Sequence, residues 1–287
     1  MKKILIIGGS GFLGSHIADF LSKKNYQVTI FDKVKSNWLK DSQKMIISDM
    51  KSSKKLENAI KNSDIVFHLA AMSDIGECME NPLSSAEINI IFTLKVLKFC
   101  KKYKVKRLIF SSTIYIHSTQ GGFYRVSKHA AEQYIIEYNK RYSLNYTILR
   151  FGTIYGLRSN DNNNLTKIVN LALTKKVLKY SGGTSAAVRK YINVKDAAKL
   201  SCSVLSKKFE NKHVLITGKK SIKITTVMHV LAKLLDIKSK PKFKKIAKYG
   251  HYDVTPYSLK KVSELKIYPK KSTDIKKGLI DLIKNLN

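Results

Sequence analysis

The segment KILIIGGSGFLGSHIADFL (3–21) decides the fold of this 287-residue chain. It begins with an apolar run and continues with the glycine-rich turn GGSGFLG (8–14), after which Ile17, Phe20 and Leu21 form a helical stripe. A strand, a glycine-rich turn and an amphipathic helix in this order form the first unit of a dinucleotide-binding parallel sheet. The glycines permit a tight turn, and the free N–H groups at the start of the helix attract a pyrophosphate.

An acidic residue at the end of the second apolar run supports this interpretation. The turn fits both G-x-G-x-x-G, counted from Gly9, and G-x-x-G-x-x-G, counted from Gly8. Asp32 ends the run QVTIFD (27–32) and lies 21 residues after Gly11, near the separation of about 20 that is typical of such sites. A carboxylate there accepts hydrogen bonds from ribose hydroxyls and repels a 2′-phosphate, so we predict NAD rather than NADP. The alternative is a turn that only packs a helix on a strand.

The rest of the first half repeats the alternation of strand and helix. Continuous apolar runs lie at 64–70, 107–112 and 146–151, and helical patterns lie at 84–102 and 124–142. Strands that are apolar throughout are buried on both faces, which indicates a parallel sheet covered by helices. We therefore predict an α/β fold with a doubly wound parallel sheet, which is a Rossmann fold.

A polar stretch separates this pattern from a smaller C-terminal α/β region. The stretch is RSNDNNN (158–164), and its composition predicts a loop. Beyond it, HVLIT (213–217) predicts a strand, and residues 272–286 predict a closing amphipathic helix.

The charge of the chain is strongly positive. Lys and Arg number 54 and Asp and Glu number 20, which gives a formal net charge of +34. Only six of the basic residues are Arg, the residue that base readout and bidentate phosphate contacts favour, and the lysines are spread along the chain. We interpret the charge as a compositional bias of exposed positions, with a dedicated nucleic-acid surface as the alternative. A hydrophobic content of 44% is sufficient for a core and excludes a disordered chain.

The sequence predicts neither a membrane segment nor a metal site. No apolar run reaches the roughly 18 residues that a membrane span needs. The N-terminus resembles a signal peptide in its two lysines, but the apolar stretch covers only residues 4–7 before the glycines. Cys78, Cys100 and Cys202 are odd in number, widely separated and without paired metal spacing. We expect a cytoplasmic protein that binds no metal.

A tyrosine and a lysine four residues apart suggest the chemistry. Tyr124 and Lys128 lie on a predicted helix, where this spacing brings both side chains to one face. A nearby ammonium stabilises phenolate and lowers a tyrosine pKa that is ordinarily about 10, so the phenolate can accept a proton from a sugar hydroxyl. Thr113 ends the preceding strand and could bridge a substrate oxygen and the tyrosine. The spacing alone also arises by chance. His68, at the end of an apolar run, and His117 are expected to be structural, with pocket lining as the alternative for His117.

Together, these motifs resemble the extended short-chain dehydrogenases. The group that they resemble is the NAD-dependent epimerase/dehydratase family, the family of UDP-galactose 4-epimerase. The resemblance is carried by the glycine turn, Asp32, HLAA (68–71), ENPL with Asn89 and Thr93 downstream, FSST (110–113) and the Tyr124–Lys128 pair. It extends through LRFGTIYG (149–156) and RKYINVKDAA (189–198) to the closing segment at 257–279.

The resemblance implies a residue set for each part of the site. The implied NAD-binding residues are Gly8, Gly11, Phe12, Leu13, Gly14, Asp32, Lys33, Asp49, Met50, Leu69, Ala70, Ala71, Ser73, Asn89, Ser111, Tyr124 and Lys128. Among them, Asp49 is the residue implied to contact adenine. Thr113, Thr153 and Arg189 are implied to bind a nucleotide sugar, with Arg189 at its phosphates.

The resemblance also implies the organisation of the chain. It implies an NAD-binding Rossmann domain at 1–152, to which 189–217 returns, and a region at 153–287 that mainly binds the nucleotide sugar. It implies a homodimer formed through a four-helix bundle of the helices at 84–102 and 124–142.

Three departures from the family pattern bear on the reaction. Ile114 and Tyr115 follow Thr113, where sugar 4,6-dehydratases carry Asp and Glu, so dehydration is disfavoured. Thr153 stands where Asn is usual, and Asn193 where His is common. The chain is also shorter than many relatives, which suggests a trimmed sugar-binding region.

These observations predict an NAD-dependent epimerase of a nucleotide-activated sugar that works through a transient 4-keto intermediate. Tyr124 removes the hydroxyl proton, Thr113 orients the sugar oxygen, and Lys128 holds the nicotinamide ribose and tunes the tyrosine. An NAD(P)-dependent 4-keto-sugar reductase or dehydrogenase is the first alternative, because it would use the same residues. A non-catalytic NAD-binding or RNA-binding protein is the second.

Overall fold

A computed structural model describes residues 1–243 and 264–286 of the chain. The strands are β1 (Lys3–Ile7), β2 (Gln27–Asp32), β3 (Gln43–Ile47), β4 (Ile65–His68), β5 (Arg107–Thr113), β6 (Tyr146–Phe151), β7 (Thr153–Tyr155), β8 (Lys179–Tyr180), β9 (Val188–Arg189), β10 (Tyr191–Asn193), β11 (Lys212–Ile216), β12 (Ile222–Lys223), β13 (Lys242–Phe243) and β14 (Glu264–Ile267). The α-helices are α1 (Phe12–Ser22), α2 (Ser53–Lys61), α3 (Ile75–Glu80), α4 (Pro82–Ala86), α5 (Phe92–Lys102), α6 (Gly122–Tyr142), α7 (Asn164–Lys175), α8 (Val194–Ser203), α9 (Ile224–Leu235) and α10 (Ile275–Leu286). A π-helical turn, Glu87–Ile91, joins α4 to α5, and 3₁₀ turns lie at Ile114–His117 and Lys207–Phe209.

Eight strands form one central sheet in the order β14-β11-β6-β5-β4-β1-β2-β3. Every neighbouring pair in this sheet is parallel. Six of these strands follow the doubly wound order in which the chain winds outward in both directions from β1. The predicted Rossmann fold is therefore confirmed.

Helices cover both faces of the sheet, which explains why its strands are apolar throughout. On one face, α1 and α8 pack over a buried cluster that includes Ile6, Ile30 and Val214. On the other face, α2, α5 and α6 cover Leu5, Phe110 and their neighbours. Because each central strand contributes side chains to both clusters, alternation of apolar and polar residues is lost.

A third cluster belongs to the smaller region. Helices α7, α9 and α10 pack around buried residues such as Tyr155 and Leu231. The polar stretch predicted as a loop ends where α7 begins, at Asn164. The predicted strand at 213–217 is β11, which pairs with β6, and β14 extends the same sheet by pairing with β11.

The division of the chain between residues 152 and 153 stays a prediction. Part of the segment that resembles the family's closing sequence, residues 257–263, lies outside the described residues. None of the helices within 1–243 and 264–286 is both long enough and apolar enough to cross a membrane.

The turn between β1 and α1 is built around close backbone contacts. A Cβ on Gly14 would lie 2.3 Å from the carbonyl oxygen of Gly8, and a Cβ on Gly8 would lie 2.5 Å from the backbone nitrogen of Ala70. Gly8 also has a φ of +86°, in the left-handed region that L side chains rarely adopt. Helix α1 begins at Phe12 without a side-chain cap, so the N–H groups of its first turn stay available for an anion.

Candidate active site

The carboxylate of Asp32 joins the glycine turn to the end of β2. Its Oδ2 accepts a hydrogen bond from the backbone N–H of Ser10 at 3.0 Å, and its Oδ1 accepts one from the N–H of Val34 at 3.3 Å. The hydroxyl of Ser10 donates to the Val34 carbonyl at 2.9 Å, so a second hydrogen bond joins the glycine turn to the segment after β2. Each carboxylate oxygen keeps a free lone pair beside the turn, where a ribose diol could donate. Lys33 is exposed next to it.

Asp49, the residue expected at adenine, follows the neighbouring strand β3. The backbone N–H of Ser48 donates to the carbonyl of Asp32 at 2.8 Å, which places the end of β3 beside the end of β2. Asp49 is exposed and accepts a hydrogen bond from the N–H of Lys51 at 2.7 Å. Met50 packs against the cluster under α2.

The π-helical turn before α5 positions Asn89. Its Oδ1 accepts from the backbone N–H of Met72 at 2.9 Å, and its Nδ2 donates to the Met72 carbonyl at 3.0 Å and to Ser127 Oγ at 2.9 Å. Asn89 therefore fixes the segment after β4, in which Leu69 and Ala70 both donate to the carbonyl of Ile7. Ala71 and Ser73 continue this segment, and Ser73 is exposed. A π-turn of this kind is often found at functional sites.

The end of β5 brings a hydroxyl to the same edge of the sheet. Thr113 is 5% exposed, and its Oγ1 accepts a hydrogen bond from the N–H of Tyr115 at 3.2 Å, so the hydroxyl hydrogen remains free to donate. Ser111 donates to the carbonyl of His68 at 3.3 Å. This serine therefore also ties β5 to the cofactor-side strand β4.

Helix α6 places Tyr124 and Lys128 in contrasting surroundings. Tyr124 is partly exposed, and its ring meets Tyr115 edge-on with centroids 6.3 Å apart. Lys128 is 2% exposed, with Nζ 4.1 Å from the centroid of the Phe110 ring. Burial lowers the pKa of Lys128 to about 7. Among the described residues, this ammonium has no hydrogen-bond partner, so its donors are available to a bound molecule.

A buried ionic network that no sequence motif indicates lies next to Lys128 on α6. Glu132 lies one turn beyond Lys128 on α6 and accepts hydrogen bonds from Ser112 and from Arg150, whose Nη2 lies 2.6 Å from Oε2. Arg150 Nη1 also contacts Glu264 on β14 at 3.2 Å. Glu132 and Glu264 have side chains that are 0% exposed. The network therefore connects α6, β5, β6 and β14.

A second contact extends this network to the turn after Thr113. His117 Nε2 lies 3.3 Å from Glu264 Oε1, and its side chain is 6% exposed. Burial alone raises the pKa of Glu264, but His117 and Arg150 outweigh it and hold that pKa below its ordinary value. The available sequence signal was that Glu132 follows Lys128 by four residues on the same predicted helix, but nothing in the sequence gives the partner of Glu132.

The two residues expected to bind substrate lie in the smaller region. Arg189 is 5% exposed, and its Nη2 donates to the hydroxyl of Tyr180 at 3.2 Å and to the carbonyl of Gly182 at 3.1 Å. Thr153 begins β7, which follows β6 directly and pairs with β10, the strand after Arg189. Thr113 is in register with Phe151, the last residue of β6. The strands that carry Thr153 and Arg189 therefore begin near the end of the sheet at which Thr113 lies. Within 1–243 and 264–286, no cluster of His, Cys, Asp and Glu could hold a metal ion.

A dinucleotide-type glycine turn, an acidic residue after β2 and a Tyr–Lys pair on the helix after β5 define a short-chain dehydrogenase-like enzyme site. The chain belongs to the NAD dependent epimerase/dehydratase family, whose sequence profile matches residues 4–217. The family resemblance stated from the sequence is therefore confirmed.

Individual relatives carry related descriptions. A putative UDP-glucose 4-epimerase of Methanocaldococcus jannaschii is 29% identical over 229 residues, which cover 72% of this chain and 74% of the relative. A UDP-glucuronate 4-epimerase of Thermodesulfobacterium geofontis is 26% identical, covering 85% of this chain and 84% of that protein.

Solved structures share the fold. The UDP-glucose 4-epimerase of Thermotoga maritima, solved with UDP-glucose, superposes with a TM-score of 0.86 at 23% identity, covering 99% of this chain and 98% of that one. The UDP-glucuronic acid 4-epimerase of Bacillus cereus, solved with UDP-glucuronic acid and NAD, gives a TM-score of 0.85 at 21% identity with the same coverage.

The buried network gives a prediction for stability. Glu132→Gln removes the charge that faces Arg150 inside the protein, so we expect the free energy of unfolding to fall by about 3–5 kcal/mol. The matched control is Glu137→Gln on the same helix, where Glu137 forms an exposed pair with Arg141 and the expected loss is under about 1 kcal/mol. Urea unfolding of both variants measures the difference. Equal losses would show that the internal pair has no special role.

Proposed function

We propose that this protein is an NAD-dependent epimerase that inverts the configuration at C4 of a nucleotide-activated sugar. The observation that carries the proposal is the buried, unpartnered ammonium of Lys128, which lies one helical turn from Tyr124 on α6 and 4.1 Å from the centroid of the Phe110 ring on β5. A buried ammonium without a partner is unfavourable by itself, so its position indicates a ligand with hydroxyl groups.

The residues of the cofactor side fit NAD. The glycine turn leaves no space for a Cβ at Gly8 or Gly14, and the uncapped start of α1 offers N–H donors to a pyrophosphate. Asp32 offers two carboxylate oxygens to the adenosine ribose, and Lys128 offers its N–H donors to the second ribose. When bound there, NAD would supply a nicotinamide able to take up a hydride from the sugar and give it back.

The residues of this chain perform the proton transfer and the positioning. Tyr124 accepts the proton of the sugar's C4 hydroxyl as the carbon loses its hydride, which leaves a 4-keto sugar. Lys128 favours the phenolate form of Tyr124 through its positive charge. Thr113 donates its free hydroxyl hydrogen to the sugar oxygen and holds it beside Tyr124. The keto sugar then rotates in the site and presents the other face of C4. Tyr124 returns the proton to the oxygen, so the overall reaction is an isomerisation.

The substrate side favours a nucleotide diphosphate sugar. Arg189 carries a guanidinium of the geometry that binds phosphate oxygens, and Thr153 adds a hydroxyl near Thr113. The relatives named above are described as 4-epimerases of UDP sugars, which supports the same substrate class here. The positions after Thr113 hold Ile114 and Tyr115, so this turn carries neither of the two carboxyl groups that sugar 4,6-dehydratases have there. Epimerisation therefore fits this chain better than dehydration.

We further infer that the protein works as a homodimer with a cytoplasmic location. Apolar side chains are exposed on α4, the π-turn and α6, where Leu83 is 85%, Ile91 47%, Phe123 48%, Val126 48% and Tyr134 45% exposed. Two copies of these helices could bury this surface as a four-helix bundle. The three cysteines are free and buried, as expected in a reducing compartment. We also propose that residues 1–152 and 189–217 bind NAD and that most of residues 153–287 bind the sugar.

The chemistry is tested at Tyr124. Tyr124→Phe should lower kcat on a UDP sugar by about 10²–10⁴-fold, the usual contribution of a positioned acid–base group, while NAD content and folding survive. Tyr142→Phe, at the exposed end of the same helix, is the control and should keep full activity. Separation of the sugar epimers by chromatography measures turnover.

The alternatives give different results in the same experiment. A reductase would release NADH or NAD stoichiometrically with a net redox product. A non-catalytic protein would show no turnover that Tyr124→Phe could remove. Near wild-type turnover in Tyr124→Phe would overturn the mechanism.

Asp32 determines the predicted cofactor choice. Asp32→Ala should weaken NAD binding by about 1.5–3 kcal/mol, because charge-assisted hydrogen bonds to the ribose are lost. It should also narrow the preference over NADP, because the repulsion of the 2′-phosphate is gone. Asp41→Ala, in the exposed loop before β3, is the control. Titration calorimetry with both dinucleotides measures the affinities, and a wild-type protein that preferred NADP would contradict the assignment.

The dimer is tested on its most exposed apolar residue. Leu83→Glu places a charge at the centre of the proposed bundle, so we expect a shift from dimer to monomer in analytical ultracentrifugation. Leu39→Glu changes a similar side chain in the loop after β2 and should leave the dimer intact. A wild-type monomer would overturn this proposal without affecting the proposed reaction.

A further inference from the structure

His68 is buried at the carboxyl end of β4, beside the catalytic pair rather than within it. His68 is 1% exposed, and its Nε2 lies 3.0 Å from Thr93 Oγ1. Burial lowers the pKa of His68 to about 3, so the imidazole is neutral at physiological pH. A neutral imidazole has one N–H donor and one lone-pair acceptor.

The hydrogen-bond partners of Thr93 determine which nitrogen of His68 carries the hydrogen. Thr93 Oγ1 donates its single hydrogen to the carbonyl of Asn89 at 2.8 Å. The same oxygen can therefore only accept at its contact with His68, so Nε2 is the donor. Nδ1 then carries the lone pair, and it points to a buried site without a hydrogen-bond partner.

The side chains that carry these two unpartnered polar atoms, His68 and Lys128, both lie near the Phe110 ring. The His68 ring lies 5.7 Å from the centroid of Phe110, and Lys128 Nζ lies 4.1 Å from the same centroid. One atom is an acceptor without a donor, and the other is a donor without an acceptor among the described residues. No hydrogen bond joins the two atoms directly, and a molecule that both accepts and donates would satisfy both of them.

We propose that one buried water molecule bridges Nζ of Lys128 and Nδ1 of His68, which makes His68 a positioning residue for the catalytic ammonium. The water accepts from Lys128 and donates to His68, which satisfies both buried groups at once. An ammonium has three N–H donors, and the two hydroxyls of a ribose account for at most two of them. The third donor is the one that the water occupies.

The consequence for the reaction rests on the proposed function. A hydrogen bond is stronger from an ammonium than from a neutral amine, so the water favours the charged form of Lys128 against its burial. The charged form in turn favours the phenolate of Tyr124. The other titratable groups around Lys128 are Glu132 on its own helix and Cys78 on α3. Glu132 is engaged by Arg150, and the pKa of the buried Cys78 thiol is raised, so neither replaces the water.

The first experiment observes the site without catalysis. Long-range ¹H–¹⁵N NMR spectra of the full chain should show His68 with Nε2 protonated and Nδ1 bare, with no titration down to about pH 5. A crystal structure of the wild-type protein at a resolution that places waters should show one within hydrogen-bond distance of both atoms. A hydrogen on Nδ1, or a dry gap between the two atoms, would overturn the proposal. Thr93→Val should allow the other tautomer, whereas Thr93→Ser should preserve the first.

The second experiment measures the pH dependence of kcat. His68→Phe keeps a ring but removes the acceptor. The basic limb of the pH profile of kcat should therefore move to lower pH by about one unit, and kcat on that limb should fall about tenfold. The acidic limb should move up, because a weaker cation stabilises the phenolate less. His68→Asn can place an amide oxygen near Nδ1 and should restore the wild-type profile. His229→Phe, at an exposed position on α9, is the control and should change nothing.

The outcomes separate this proposal from the proposed function. An unchanged profile in His68→Phe, with Tyr124→Phe inactive, would refute the role of His68 and leave the epimerase intact. A correct tautomer and water in a protein without epimerase activity would support the bridge and refute the function. If His68→Phe does not fold, the tautomer in Thr93→Val and the water in the wild-type crystal still decide the proposal.

Discussion

The burial of the Lys128 ammonium is the constraint on which the rest of the site depends. An ammonium removed from water loses its hydration, and this loss is several kcal/mol unless other groups replace the water. The Phe110 ring provides a partial replacement through its π-face, and Glu132 lies one helical turn away. The remaining donors have no partner among the described residues. The lysine therefore keeps N–H donors that a bound molecule could use.

Internal polar contacts hold the elements around that lysine in register. Asn89 forms hydrogen bonds with both the segment after β4 and Ser127 on α6, so it joins these two parts of the chain. Glu132 and Arg150 join the same helix to the sheet from the other side. Such buried polar contacts contribute less to stability than apolar packing would, but they permit fewer alternative arrangements. Here they hold α6, which carries Tyr124 and Lys128, against the end of β5, where Thr113 lies.

Arg and Lys differ in where they lie: several arginines are buried, whereas most of the described lysines are on the surface. Arg107, Arg150 and Arg189 are buried and hydrogen-bonded, as suits a planar group with several fixed donors. Among the described lysines, Lys128 is the buried one, whereas most others lie in solvent. The large positive charge is therefore a property of the surface. The one lysine that enters the interior is the lysine that the sequence motif identifies.

The sequence by itself determined the parallel sheet, the glycine turn and the spacing of Tyr124 and Lys128, because each follows from local periodicity or from residues close together in the chain. It also placed the carboxylate of Asp32 beside the glycine turn, since a fixed strand order brings the end of β2 next to that turn. Only the tertiary structure decided that Glu264 meets Arg150, or that His68 faces the surroundings of Lys128. Those contacts join residues separated by 114 positions in the first case and carried by different elements in the second. Their partners depend on how strands and helices pack, which no local pattern encodes.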